Sequence, residues 1–201
     1  GGFLHEGGGR RARQGRDRLV AVVKSVDDPL SSVSALRIPT FADVEMASRR
    51  IAGVAHRAPV LTSRTADERA GASLFFKAEN FQLTGSFKIR GAASVMTASA
   101  SDQALITASS GNHGIGSARA AQSLGRKLTV VLPESVVPEK LAKIRAYGVD
   151  VVLHGAETGL AEQHAQTLSR TTGARYVSPY NDAEVIAGQG TIGLELLEQA
   201  P

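Results

Sequence analysis

A lysine in the segment TGSFKIRGA, residues 84–92, is the side chain best placed to do chemistry in this sequence. A single lysine beside an arginine on a helix is usually a solvated charge. Here a run of small residues, 84–86, leads up to Lys88, and Phe87 supplies an aromatic wall. A lysine that forms a Schiff base needs such a partly desolvated setting, because burial lowers the pKa of the amine and frees it to attack an aldehyde. The segment therefore predicts a reactive Lys88.

The stretch SSGNHG, residues 109–114, is the second candidate. It follows the apolar run ALITA and opens a predicted helix, and it combines two hydroxyls, an amide and two glycines. Backbone N–H groups exposed at a helix N-terminus attract a phosphate or a carboxylate. The pattern predicts an anion site, although a plain capped turn explains these residues equally well at this point.

A third stretch, residues 187–199, contains GQGTIG, which matches the dinucleotide fingerprint G-x-G-x-x-G as a string. That fingerprint has to follow a strand directly and open a helix. Here the nearest predicted strand ends near Val177, and a polar loop intervenes. We therefore expect a glycine-bearing helix that packs against another backbone, and no nucleotide site.

Other chemistry finds little support. The sequence has no cysteine, which excludes a disulfide scaffold, a thiolate zinc site and a cysteine nucleophile, and it fits a reducing compartment such as the cytoplasm. Histidines 5, 56, 113, 154 and 164 have no partner at metal-ligand spacing, so we expect no metal. The sequence also lacks HExxH, GxxxxGK[ST] and G-x-S-x-G.

A regular alternation of strands and helices positions these segments. Short apolar strands are predicted at 104–108, 127–132, 150–154 and 175–177, with helices from the SSGNHG loop to Leu124 and at 138–147 and 157–172. Before them come a helix with Thr40 as N-cap, extended segments at 56–61 and 74–77, and a helix at 88–100; a helix at 183–199 follows. Strand–helix alternation predicts an α/β fold with a parallel sheet covered by helices.

The first 35 residues differ from the rest. Residues 10–18 hold five arginines and one aspartate, which accounts for the whole net charge of +4. The remainder is balanced, and no apolar run approaches the roughly 18 residues that a membrane span requires, so we expect neither nucleic-acid nor membrane partners. We interpret the segment as a disordered or extraneous extension; a targeting peptide and a basic interaction arm are the alternatives.

Three segments in this order and spacing closely resemble the serine/threonine dehydratases and serine racemases of pyridoxal-phosphate (PLP) fold type II. They are ENFQLTGSFKIRGA (79–92), SSGNHG (109–114) and VIAGQGTIGLELLEQ (185–199). The resemblance implies pyridoxal 5'-phosphate as cofactor and two parallel-sheet α/β domains. Residues 104–183 would be the small domain, 37–103 and 184–201 an incomplete large PLP domain, and 1–36 the extension. It also implies a homodimer or higher homo-oligomer for the full-length protein.

The resemblance assigns roles to residues of this sequence. Lys88 would be the Schiff-base lysine and Phe87 the aromatic residue against the cofactor ring. Asn112 would bind the phenolic oxygen of the cofactor. The backbone and hydroxyls of Ser109, Ser110, Gly111, Asn112 and His113 would cradle the substrate carboxylate. Ser110 also occupies the position of the second acid/base in racemases.

The implied activity is an L-threonine/L-serine ammonia-lyase that acts on a small amino-acid substrate. The substrate amine would displace Lys88, the freed lysine would remove the Cα proton, and loss of the β-hydroxyl would lead to a 2-oxo acid and ammonia. A serine racemase or a 3-hydroxyaspartate ammonia-lyase stays open, as does a binding module without catalysis.

Two departures from the family pattern matter. Ala58 stands before the proline of the segment HRAPV, where the family usually has threonine. The glycine-rich phosphate loop that follows in the family has no counterpart in these 201 residues. We therefore expect an N-terminal fragment that binds the cofactor poorly and is inactive alone.

Overall fold

The structure is a computed structural model, and it describes residues 37–200. The predictions made for the N-terminal extension, whether as a disordered segment, a targeting peptide or a basic arm, lie outside the described residues. Within them, none of the helices combines the length and the apolar character that crossing a membrane requires.

The first part of the described chain is helical with one small sheet. Helix α1, Phe41–Arg50, begins at the N-cap Thr40, whose side chain forms a capping box with Asp43. Two short strands, β1 (Val60–Leu61) and β2 (Phe76–Lys77), pair antiparallel around helix α2, Arg64–Ala70. A 3-10 turn at Glu79–Phe81 leads into helix α3, Lys88–Ala98.

The second part is a four-stranded sheet with its helices. The strands are β3 (Leu105–Ala108), β4 (Leu128–Leu132), β5 (Asp150–Leu153) and β6 (Arg175–Tyr176). The helices are α4 (Asn112–Leu124), α5 (Pro138–Arg145), α6 (Thr158–Thr172) and α7 (Ala183–Gln199). The strand order is β5-β4-β3-β6, and every pair is parallel. The predicted α/β fold with a parallel sheet is confirmed, whereas α2 and the 3-10 turn were not predicted.

Apolar side chains cover both faces of this sheet, because successive residues of a strand point to opposite faces. Leu105 of β3 and Val130 of β4 belong to a core shared with helices α3, α4 and α5. Their neighbours Ile106 and Val131 belong to a second core, formed with Ala161 and Ala165 of α6. The sheet is therefore buried on both sides, as parallel sheets require. The division of the chain into a small and a large domain stays a prediction.

Helices α3 and α7 approach each other so closely that only glycine fits at the contact. A Cβ built on Gly188 of α7 would lie 2.6 Å from the carbonyl oxygen of Arg90 and 2.9 Å from the Cα of Gly91. The string GQGTIG therefore lies inside α7, at a helix–helix contact, and opens no helix after a strand. The expectation of a glycine-bearing helix packed against another backbone is confirmed.

Candidate active site

The candidate site lies where the strand order of the sheet reverses. From β3 the chain proceeds to β4 and β5 on one side, and it then returns to place β6 on the other side of β3. In open α/β sheets, ligands bind outside the carboxyl ends of the strands at such a switch point. The loop 109–114 follows β3 and the segment 177–182 follows β6, so both begin at this edge.

Lys88, the first residue of α3, reaches the segment that follows β6. Its Nζ donates a hydrogen bond to the carbonyl oxygen of Pro179 at 2.9 Å. The same Nζ lies 5.2 Å from the ring centroid of Phe87 and 5.3 Å from that of Tyr180. Desolvation lowers the pKa of the Lys88 amine. The amine is therefore held between two aromatic rings and a carbonyl oxygen, in the partly desolvated setting that a Schiff-base lysine needs.

Sequence reasoning missed Pro179 and Tyr180. Pro179 is buried, whereas Tyr180 is 65% exposed although it lies beside the amine. One signal could have found them: both residues follow directly after a predicted strand at the edge where the strand order reverses. That signal requires knowing that β6 pairs with β3, and the sequence pattern alone does not give the pairing.

The loop after β3 offers free backbone donors. Helix α4 has Gly111 as its N-cap, and no side chain caps it. The N–H groups of the first helical turn, residues 112–114, have no intrahelical acceptor and are available to an anion. The N–H of Gly111 itself donates to the hydroxyl of Ser109 at 3.2 Å. Ser110 is half-buried and Asn112 is exposed, and their individual roles stay predictions.

His113 of this loop turns its side chain inward. The ring is 4% exposed, and its Nε2 lies 3.0 Å from the hydroxyl of Thr107 and 3.2 Å from the carbonyl oxygen of Val177. Burial lowers the pKa of the imidazole to about 4; the Val177 carbonyl opposes this shift and the charge of Lys88 adds to it. His113 is therefore neutral near pH 7, and only its backbone faces the anion position.

Gly116 lets α4 approach the backbone of Lys88, and Gly114 lets it pack against the carbonyl group of Ser109. A Cβ on Gly116 would lie 2.9 Å from the backbone nitrogen of Ile89 and 3.1 Å from the carbonyl carbon of Lys88. A Cβ on Gly114 would lie 1.8 Å from the carbonyl oxygen of Ser109, which is closer than any real contact. The structure thus brings the two segments singled out in the sequence, 84–92 and 109–114, to one place.

Arg90, two residues after Lys88, is completely buried. Its guanidinium donates to both carboxylate oxygens of Glu79 at 2.9 Å, and to those of Glu195 at 2.6 and 2.9 Å. It also donates to the carbonyl oxygen of His56 at 3.0 Å. Burial alone would lower the pKa of Arg90, but the hydrogen bonds to Glu195 and Glu79 outweigh it and raise that pKa. This cluster joins Glu79, which precedes Lys88 in the chain, and helix α3 to Glu195 of helix α7.

Lys77 extends the same cluster to the HRAPV segment. Its Nζ pairs with Glu195 and donates to the carbonyl oxygen of Ala58 at 2.6 Å. Gln199 donates to the same carbonyl at 3.1 Å. Although Ala58 lacks the hydroxyl that the family usually has, its backbone carbonyl is still engaged. At position 58 the backbone carbonyl, which accepts from Lys77 and Gln199, makes the contacts in this chain.

A cleft of about 530 Å³ lies elsewhere, between the end of α1 and α7. Arg49, Arg57 and Glu198 are among the residues that line it, and Lys88 is not. The described residues contain no group of three or more histidine, aspartate or glutamate side chains that could hold a metal ion.

The Lys88 site fits pyridoxal phosphate. The group needs an amine with a lowered pKa, a flat apolar neighbour for its ring, and donors for its oxygens. Lys88 supplies the amine, Phe87 and Tyr180 supply rings beside it, and the exposed amide of Asn112 at the start of α4 can supply a donor.

Taken together, the parallel sheet and the partly desolvated lysine at its switch point define an α/β protein with a candidate site for an aldehyde cofactor. Comparison with known proteins makes this specific. Residues 51–201 match the family model described as "Pyridoxal-phosphate dependent enzyme", and the chain belongs to this family.

Three similar proteins illustrate the relationship. The chain is 40% identical to an L-threonine ammonia-lyase of Thermotoga maritima over 165 residues, which cover 81% of the chain and 41% of that protein. It is 42% identical to a serine racemase of Rattus norvegicus over 168 residues, covering 81% and 50%. The crystal structure of the T.th. threonine deaminase superposes with a TM-score of 0.73 at 49% identity, covering 81% and 52%. The chain therefore spans about half the length of the relatives it matches.

Proposed function

We propose that this protein is a PLP-dependent L-threonine/L-serine ammonia-lyase that forms a 2-oxo acid and ammonia. The observation that carries the proposal is the amine of Lys88, which is partly desolvated, flanked by Phe87 and Tyr180, and hydrogen-bonded to the Pro179 carbonyl near the uncapped start of α4. The similarity to an L-threonine ammonia-lyase and a threonine deaminase supports the choice of reaction.

Lys88 does two jobs in this proposal. Its Nζ would hold the cofactor covalently, and the same amine, when it is not bound to the cofactor, would take the Cα proton of the substrate. The lowered pKa of its amine favours both steps, because each requires the uncharged form. When bound, the cofactor supplies the electron sink that makes the Cα proton removable.

The start of α4 orients the substrate. We assign the substrate carboxylate to the backbone donors and hydroxyls of Ser109, Ser110, Gly111, Asn112 and His113, since free N–H groups and the helix dipole favour an anion there. The exposed amide of Asn112 would bind the phenolic oxygen of the cofactor, and Phe87 would lie against its ring.

A serine racemase is the second candidate. Ser110 lies in the same loop and is half-buried, and its hydroxyl would supply the second proton-transfer group that a racemase needs. The 42% identity to a serine racemase favours keeping this candidate. Ser110→Ala separates the two: it should abolish formation of D-serine and reduce dehydration of the L-substrates much less.

Labelling tests the cofactor lysine. The chain is incubated with PLP and reduced with borohydride, and the modified lysines are identified by peptide mass spectrometry. We expect Lys88 to be modified first, and Lys88→Ala to remove that label while Lys140→Ala, at an exposed position of α5, leaves it unchanged. Preferential labelling of other lysines in the unaltered chain would overturn the proposal.

Turnover is measured on the protein purified from its own source. L-Threonine and L-serine should give 2-oxo acid and ammonia, and Lys88→Ala should abolish both products. Turnover that survives Lys88→Ala would remove Lys88 from the mechanism.

We also propose the assembly in which this site works. Residues 104–183, which contain the four-stranded sheet, would form the small domain, and 37–103 with 184–201 part of the large one. The protein would be a homodimer or higher homo-oligomer, and the absence of cysteine fits the cytoplasm. Light scattering of the purified protein measures the oligomeric state, and cell fractionation measures the location.

A further inference from the structure

We propose that His113 is a positioning residue. Its side chain holds the segment Val177–Tyr180 against the loop that forms the anion site, and so fixes the Pro179 carbonyl that accepts the hydrogen bond of Lys88, which we call the seat of Lys88. The inference rests on the proposed function in one respect only, namely that Lys88 is the reactive amine.

Two buried side chains hold the Val177 carbonyl. The hydroxyl of Thr107 donates to this oxygen at 2.8 Å, and Nε2 of His113 contacts it at 3.2 Å. Because a carbonyl oxygen only accepts, Nε2 has to carry the ring proton for this bond. Thr107, Val177 and His113 are all buried, at 0%, 0% and 4% exposure. The carbonyl is thus fixed from both β3 and α4.

A compact turn links the fixed Val177 carbonyl to the residue that contacts Lys88. The hydroxyl of Ser178 accepts the N–H groups of Tyr180 at 3.3 Å and Asn181 at 3.0 Å, which closes the turn directly after Val177. Pro179 lies inside the turn, and its carbonyl is the acceptor for Lys88 at 2.9 Å. The position of that acceptor therefore depends on where Val177 is held.

His113 also belongs to the anion site. It is the second residue of α4, so its backbone N–H is one of the donors without an intrahelical acceptor. The backbone of one residue thus faces the anion while its side chain holds the seat of the lysine. A neutral ring suits this role, since a protonated one would add a second positive charge close to Lys88.

Amide side chains allow a matched substitution at this position. The terminal nitrogen of glutamine reaches about as far from the backbone as Nε2 of histidine, whereas that of asparagine stops near Nδ1. His113→Gln can therefore keep the N–H bond to Val177, and His113→Asn cannot. His113→Leu and Thr107→Val each remove one bond to the Val177 carbonyl, together with the 3.0 Å contact between Nε2 of His113 and the Thr107 hydroxyl.

The experiment measures the amine of Lys88 in the chain without cofactor. Lysines are labelled with a neutral amine reagent across a range of pH, and the rate at Lys88 is followed by peptide mass spectrometry. The Pro179 carbonyl favours the ammonium and desolvation opposes it; because desolvation dominates, releasing the segment should raise the pKa of Lys88. We expect His113→Leu, His113→Asn and Thr107→Val to raise it, which should appear as a roughly threefold lower labelling rate at a fixed pH below the pKa.

Rescue and control variants distinguish positioning from general damage. His113→Gln should label like the unaltered chain. Thr191→Val removes a hydroxyl of equal burial from α7, where it bonds Gly188 and Arg90, and should leave the Lys88 rate unchanged. Thermal melting of every variant shows which of them fold, and the glutamine–asparagine pair decides the question if His113→Leu does not.

Two results would overturn the inference: unaltered Lys88 labelling in a folded His113→Asn or Thr107→Val chain, or equal effects of glutamine and asparagine. Neither result bears on whether PLP attaches to Lys88, which the borohydride labelling tests separately.

Discussion

Gly188 on α7 faces the carbonyl oxygen of Arg90 on α3 at a distance that leaves no room for a side chain, since an added Cβ would lie 2.6 Å from that oxygen. Gly188→Ala should therefore separate the two helices and destabilise the chain by about 1–3 kcal/mol, the usual cost of overpacking a core. Urea unfolding followed by circular dichroism measures the loss.

Gly193 provides the control within the same helix. A Cβ there would meet nothing within 4 Å, so Gly193→Ala should stabilise the chain by up to about 1 kcal/mol through helix propensity. If both substitutions stabilise, the close approach of α3 and α7 is wrong.

Gly114 and Gly111 make a similar pair inside the SSGNHG loop. A Cβ on Gly114 would overlap the Ser109 carbonyl oxygen at 1.8 Å, whereas one on Gly111 would only reach the Ser109 hydroxyl at 3.8 Å. Gly114→Ala should cost about 3 kcal/mol or more, because backbone has to move. Gly111→Ala changes only the helix cap and should cost less than about 1 kcal/mol. Thermal melting compares the two, and equal losses would show that the loop is not packed in this way.

Arg90→Met should be among the most damaging substitutions outside the apolar core. It leaves the half-buried carboxylates of Glu79 and Glu195 without their shared cation, and breaking a buried pair in this way costs about 3–5 kcal/mol. Arg64→Met is the control, because its contact with Glu68 is 3.9 Å long and both side chains are exposed, so the change should stay within about 0.5 kcal/mol. Urea unfolding measures both. A loss below about 1 kcal/mol for Arg90→Met would contradict the buried cluster.

Acid should destabilise the chain through His113. The unfolded histidine takes up a proton near pH 6.5, whereas the folded one does so only near 4, so the unfolded state binds more protons between these values. Stability should therefore fall as the pH drops from about 6.5 to about 4, by about 3 kcal/mol in total, and no further below that from this group. Asp43, with its pKa lowered to about 2 chiefly by the backbone N–H of Thr40, acts only below 3.8.

Unfolding free energies measured along this pH range check the prediction. His113→Gln should flatten the slope between pH 6.5 and 4, since glutamine does not titrate. An unchanged slope in that variant would assign the acid sensitivity to another group.

Much of the fold follows from the sequence, because strand–helix alternation and local caps are short-range signals. Helix α7 has the predicted ends, and α4 begins inside the predicted loop. Helix α2 escaped because RTADERA buries no residue and so shows no apolar stripe. Its boundaries were nevertheless marked, by the side-chain cap of Ser63 and the left-handed Gly71.

The candidate site was only partly predictable, because some of its contacts join residues that are far apart in the sequence. Lys88 and the loop 109–114 carry their own composition signals. The burial of Arg90 depends on Glu195, 105 residues away, and the seat of Lys88 depends on Pro179, 91 residues away. Such pairs form only through the packing of α7 on α3 and of β6 beside β3, and no local pattern encodes them.

The place of β6 in the sheet also determines when, during synthesis, Lys88 gains its neighbours Pro179 and Tyr180. β6 is the last strand of the sheet to be synthesised, yet it pairs with β3, the first. A ribosome that adds 5–20 residues per second needs roughly 5–20 s to travel from Lys88 to Pro179. During that interval the amine lacks its carbonyl acceptor and the ring of Tyr180. Lys88 therefore gains its carbonyl acceptor and the Tyr180 ring late in synthesis. Its amine reaches the surroundings of the folded site only when the sheet is complete.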